Sequence, residues 1–131
     1  MVDIPKPSRS IGPARSAVIA GLNDELRQNP TQPGANRVLV SSGVATLIGD
    51  TSLFRGFRKR AELLRAVRDF DAFPVGDDPY GERDFGALTF ADQRVFWKID
   101  YYDANLVFGS EDPTDPALTT RVLTIYLASE H

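Results

Sequence analysis

Apolar positions along this chain recur at two periods, and the change from one to the other divides it into elements. From Ala14 to Gln28, Val18, Ile19, Leu22 and Leu26 return at helical spacing, which predicts a first helix. The next stretch, "NPTQPGAN", holds two prolines and a glycine, so the helix ends there. In "RVLVSSGVATL" the run Val38-Leu39-Val40 has the mark of a short buried strand. A second helix is predicted across "FRGFRKRAELLRAVRDFDAF", where Phe54, Phe57, Ala61, Leu64 and Val67 form one stripe at three- and four-residue steps. Arg55, Lys59, Glu62 and Arg65 project from another side, so this helix sets a basic face over a core face.

Further on the period drops to two. In "FGALTFADQRVFWKIDYYD", Val95, Trp97, Ile99 and Tyr101 alternate with Arg94, Phe96, Lys98, Asp100 and Tyr102. The polar break "ADQ" makes this a β-hairpin. With Ala91 and Asp92 as its two-residue loop, Gly86 falls opposite Trp97, and the indole covers a residue that has no side chain. "GSEDPTDP" is a loop. Asp115 then supplies a helix cap and Pro116 a first helical position, so the last element, with Leu118, Val122, Ile125 and Tyr126 as its stripe, is predicted as a helix. A strand over "RVLTIYL" competes with it, because that segment also alternates. The predicted order is helix, strand, helix, strand, strand, helix. It specifies an α+β domain over residues 14–131, with a small, mostly antiparallel three-stranded sheet and helices packed on one face. Residues 1–13 carry three prolines and no period, and read as a flexible arm.

Composition removes several function classes. A chain of 131 residues suits one domain with a real core. It has no cysteine, which excludes disulfides and thiolate metal sites. No apolar run approaches the roughly 20 residues a bilayer span needs. "AVIAGL" is too short and too soon followed by Asn23, Asp24 and Glu25 to read as a signal peptide, so the expected location is cytoplasmic, with no membrane partner. The net charge of −3 conceals a strong polarity. Residues 1–68 hold 11 Lys/Arg against 5 Asp/Glu, and residues 69–131 hold 4 against 13. A field of one sign steers association, so the acidic half points to a protein partner with a basic surface.

The densest chemistry lies in "DDPYGERDFG", residues 77–86. Asp78, Pro79 and Gly81 are what a tight turn requires: a side chain that bonds back to the main chain, a preset φ, and freedom to adopt a positive one. Tyr80, Glu82, Arg83 and Asp84 are left without a turn role. In "FWKIDYYD", Asp100 and Tyr102 share a face with Lys98, and Asp103 follows. Tyrosines among carboxylates suit recognition, since Tyr joins rigid area to a polar tip. The expected contact surface is therefore Tyr80, Glu82, Arg83, Asp84, Asp100, Tyr102 and Asp103. Nucleic acid is the less favoured partner, through a basic patch of Arg55, Arg58, Lys59 and Arg65 on the second helix. No catalytic residue is assigned, and no metal or cofactor is expected. The one histidine is His131, no phosphate-binding glycine loop is present, and the spacing of the acids does not match a calcium loop. Carboxylate pairs among Glu82, Asp84, Asp100 and Asp103 leave open the alternative of a small acid/base enzyme, with or without a metal.

"DPYGERDFG", "FWKIDYYD", "GSEDPTDP" and "RVLTIYLASE" resemble the successive signatures of a small bacterial family catalogued as domain of unknown function 3768. "LNDELRQ" and "VLVSSGV" resemble its N-terminal part. The resemblance implies cargo of plasmids and integrative elements in alphaproteobacteria, near anti-restriction and conjugation genes. It implies no activity. Members usually carry histidine where this chain has Arg83, a departure that favours binding or structure over catalysis at that position. The expected function is a non-enzymatic interaction module of a mobile element, blocking a host defence or regulatory protein.

Overall fold

The structure is a computed structural model and describes residues 12–131. Helix α1 spans Gly12–Gln28, strand β1 Arg37–Val40, helix α2 Ser42–Ile48 and helix α3 Phe54–Arg68. Strands β2 (Phe85–Phe90), β3 (Gln93–Tyr102) and β4 (Thr120–Leu127) follow, and Ala128–Glu130 adds a single 3-10 turn. Residues 1–11 of the expected arm lie outside the described residues, whereas Gly12 and Pro13 belong to α1.

The class is α+β, and two details of the expected sheet are corrected. It has four strands, in the order β1-β4-β3-β2, and it is mixed: β1 runs parallel to β4, while β4–β3 and β3–β2 are antiparallel. The second correction explains the first, because the last element is strand β4 and not a helix. Asp115 does cap, but its carboxylate accepts the Ala117 N–H at 2.9 Å within a short turn that stops before Thr120. Beyond that turn, β-branched Thr120, Val122, Thr124 and Ile125 favour the extended chain. The segment is then buried between β1 and β3.

Gly86 does lie opposite Trp97 in the β2–β3 register. Trp97, Val95 and Ile99 face Leu123 and Ile125 across β3–β4 and are buried. Onto this face pack Leu26 of α1, Val44 and Ile48 of α2, and Leu63, Leu64 and Val67 of α3. On the other face Phe96 meets Phe85 and Tyr126 edge-on at 5.3 and 5.7 Å, and among the described residues no helix covers it.

Helix α2 was not foreseen. Ser41 starts it by accepting the Val44 N–H at 3.1 Å, and Glu130 secures the same end by accepting from Ser41 Oγ (2.6 Å) and the Gly43 N–H (2.9 Å). Helix α3 forms as expected but is turned about its axis at its start. Leu64 and Val67 are core, whereas Phe54 and Phe57 face solvent. Gly56 takes the inner position in that turn, where a Cβ would overlap the Asp50 carbonyl. Close backbone approach there excludes a larger side chain and sends both phenylalanines outward.

Candidate functional site

The stretch 77–84 is built as a turn by the residues assigned to it. The Asp78 carbonyl accepts the Gly81 N–H at 3.2 Å, Gly81 has φ +71°, and the Asp78 carboxylate accepts the Arg83 N–H at 3.0 Å. That last bond holds Arg83 at φ +52°, an uncommon conformation for a residue with a side chain. The Arg83 guanidinium thereby reaches α1, where it forks onto Asp24 with Nη2 at 2.6 Å and Nε at 3.0 Å.

Asp24 also accepts from Arg27, a buried guanidinium with a second task. Its Nη1 donates to the carbonyls of Val67, Arg68 and Phe70, capping the C-terminal end of α3, and its plane lies over the rings of Phe73 and Trp97. Burial works against the ionised form of Asp24, yet the Arg83 and Arg27 guanidiniums hold its pKa below the ordinary carboxylate value. The residue before Asp24, Asn23, is fully buried and fully bonded. Its Nδ2 donates to the Glu82 carbonyl and to the Tyr101 hydroxyl, and its Oδ1 accepts from Arg121 Nε, at 2.8–2.9 Å each. The Tyr101 hydroxyl donates its own hydrogen bond to the Glu82 carboxylate at 2.8 Å, and burial keeps the phenol well above its ordinary pKa. Burial lowers the pKa of Arg121, whose Nη2 donates to the Pro113 carbonyl. The buried polar groups thus tie α1, the 77–84 turn, β3 and β4 together.

The expected contact set is consequently divided. Glu82 and Arg83 bond inward. Asp84 is half-buried, and burial first, then the neighbouring Glu82, raises its pKa. Tyr80 is 76% exposed at the turn's tip. On the open sheet face Asp100 pairs with Lys98 at 3.2 Å, and Tyr102 is exposed at the end of β3. Asp84 lies near enough to Glu82, Asp78 and Asp100 to feel their charges. Among the described residues no three His, Asp or Glu side chains converge as a metal site would need, and His131 stacks on Tyr126. The cleft beside Asp24 and Arg83 measures about 660 Å³ and is also lined by Arg68, Asp69, Phe73 and Asp78.

Asp103 leads to a surface that sequence reasoning missed. Its carboxylate accepts the N–H groups of Asn105 (3.2 Å) and Val107 (3.0 Å), its own N–H donates to the Phe108 carbonyl at 2.7 Å, and Tyr102 bridges to Gly109. Leu106 takes φ +60° within this turn. The result is a tight loop that points apolar side chains outward: Phe108 is 72% exposed, Val107 63% and Leu118 47%. A concavity of about 430 Å³ lies among Asp103, Phe108, Glu111 and Leu118. The sequence signal was present, since "NLVF" is apolar inside a loop, but it had no period to mark it.

The basic set lies along α3. Arg58 pairs with Glu62 at 3.3 Å and Lys59 donates to the Leu47 carbonyl at 3.1 Å, while Arg55 and Arg65 are exposed. Among the described residues no helix is long and apolar enough to cross a membrane.

No curated protein and no solved structure matches this chain. A family model does, over residues 40–130, from the end of β1 through β4 to the closing 3-10 turn; its family is described as "Protein of unknown function (DUF3768)". That span takes in the 77–84 turn, the whole hairpin and the 103–118 loop, and the chain belongs to this family.

Proposed function

We propose that the protein is a non-enzymatic interaction module that receives a basic protein surface at the acidic, tyrosine-bearing end of its hairpin. The observation that carries this reading is the exposed trio Val107, Phe108 and Leu118, set on a loop that its own side chains bond into shape. Contiguous exposed apolar groups mark interaction sites, and a contact loop already ordered loses little further entropy on binding. Asp103 and Glu111 rim the patch and set the sign of the partner, with Tyr102 bridged to Gly109 beside them. The family resemblance supports a setting on a plasmid or integrative element in the cytoplasm, where the bound protein is a host defence or regulatory factor that the module blocks. A carboxylate-based enzyme has less support, because Glu82, Asp100 and Asp103 are each engaged in a different bond.

Photo-crosslinking in the native host tests the reading. A benzoylphenylalanine at position 108 should trap one partner, and the trapping should weaken as salt rises. Val107→Ser with Tyr102→Ala should abolish it without lowering the melting temperature, and Phe57→Ser should leave it intact. A partner captured equally well by the Val107→Ser/Tyr102→Ala protein would show that the surface lies elsewhere.

A further inference from the structure

Helix α3 displays two aromatic rings on the most cationic segment of the chain. Phe54 is 75% exposed and Phe57 61% exposed. Across Phe54–Arg68 there are six Lys/Arg and one acid, Glu62. Among the described residues Arg55, Arg60 and Arg65 make no ion pair. Each ring also borders its own shallow cleft of about 280 Å³. The first is formed by Phe54 with Arg55, Arg58, Lys59 and one acid, Glu62, which pairs with Arg58. The second is formed by Phe57 with Arg60, Arg65 and two amides, Gln28 and Gln32, from the end of α1 and the turn after it.

We propose that this face of α3 binds single-stranded nucleic acid, with one base stacked on each phenylalanine and the flanking phosphates held by the free arginines. A ring with an open face and a cation beside it is what a sequence-tolerant base platform needs. Residues three apart on a helix are separated by about 4.5 Å along its axis, more than the spacing of stacked bases, so two neighbouring bases must be splayed apart. A single strand allows this and a duplex resists it. The amides of Gln28 and Gln32 offer donors and acceptors to a base edge in the second cleft. A lipid surface fits less well. A helix lying in a headgroup layer presents a continuous apolar face, whereas here each ring is flanked by cations, and the second by amides as well. Within Phe54–Arg68 six Lys/Arg stand against one Glu, so the helix itself is cationic despite the chain's net charge of −3.

Fluorescence anisotropy of labelled dT12 and rU12 with the full chain tests the proposal. Binding in the micromolar range is expected at 50 mM salt. Three phosphate contacts would weaken it about 20-fold by 200 mM. Phe54→Ala and Phe57→Ala should each weaken it at least about fivefold, at an unchanged melting temperature, while Phe57→Trp retains it. Arg60→Gln with Arg65→Gln should flatten the salt dependence, and this pair with Phe57→Trp decides the matter should either alanine variant fold poorly. The absence of binding at 100 μM protein would overturn the proposal. So would an equal affinity for the corresponding duplex, for polyglutamate or for phosphatidylserine vesicles, or an affinity indifferent to both phenylalanines.

Discussion

Adding one methyl group at Gly86 tests how the hairpin and the helical layer fit together. A Cβ there would lie 2.6 Å from Cε2 of Trp97, closer still to its Nε1, and 2.7 Å from Cε1 of Phe70. Alanine in a strand otherwise has an advantage over glycine of about 0.5–1 kcal/mol, so the native glycine needs a steric reason. Overpacking a core costs about 1–3 kcal/mol, depending on whether the neighbours can yield. Here they are held. The Trp97 ring lies edge-on to Phe70 and Phe73 at 5.6 and 6.1 Å, and the Arg27 guanidinium sits 5.2 Å from its centroid on a side chain already committed to three carbonyls. The high end of the range applies, and after the propensity gain Gly86→Ala should lose about 2 kcal/mol. For a chain of this size that corresponds to a fall of about 6–10 °C in melting temperature. Trp97 is the sole tryptophan, so its emission reports the same event: blue-shifted and shielded from iodide in the native protein, red-shifted and more accessible in the variant. Trp97→Ala alone should cost about 3–5 kcal/mol. In that background Gly86→Ala should become neutral or stabilising, giving a coupling of about 2 kcal/mol in the double-mutant cycle. A Gly86→Ala protein as stable as its parent, with unshifted emission, would refute the reasoning.

Arg27→Met keeps a long side chain in the core but removes the guanidinium that lies over Phe73 and Trp97 and donates to the end of α3, and urea unfolding should show a loss of about 2–4 kcal/mol. Gly81→Ala forces a side chain into φ +71° and should cost about 1–2 kcal/mol, whereas Tyr80→Ala, one residue away and exposed, should leave the melting temperature unchanged. Asp84 has a raised pKa through burial and Glu82, so its ionised form opposes folding. The penalty is absent below the ordinary aspartate pKa and grows as pH rises through the raised value. Asp84→Asn should therefore raise the melting temperature at pH 7 and lose that advantage at pH 3; a gain of equal size at both pH values would point to packing instead.

The hairpin was legible because its alternation, its two-residue break and the Gly86–Trp97 pairing agree with one another. The last strand was not. Asp115-Pro116 is a sound helix start that here initiates only a turn, and a strand flanked on both sides carries apolar residues at positions that fit either period. On α3 the expected stripe was correct at Leu64 and Val67 and inverted at Phe54 and Phe57, since a glycine that permits close backbone contact carries no hydrophobic signal. The same limit applies to the candidate site. Turn chemistry identified Asp78 and Gly81. Asp24 beside Arg27 is no different from the ion pair of an exposed helix, and the remaining partners of the buried Arg27 and Arg121 are backbone carbonyls and an asparagine far away in the chain.

Strand β4 has a consequence for how the protein is made. It is the strand that joins β1 to the β2–β3 hairpin, and it is the last of these four strands to leave the ribosome. The Arg121 N–H bonds to Asn36 Oδ1, 85 positions earlier, at the threshold of β1. Until that point of synthesis β1 has no neighbour, and the helices have only the β2–β3 hairpin to lie on. The nascent chain must therefore carry an incomplete sheet, with Val38 and Val40 unpaired, while residues 41–119 are made. Termination between residues 103 and 119 would leave the β2–β3 hairpin beside an unpaired β1, and no sheet of three strands.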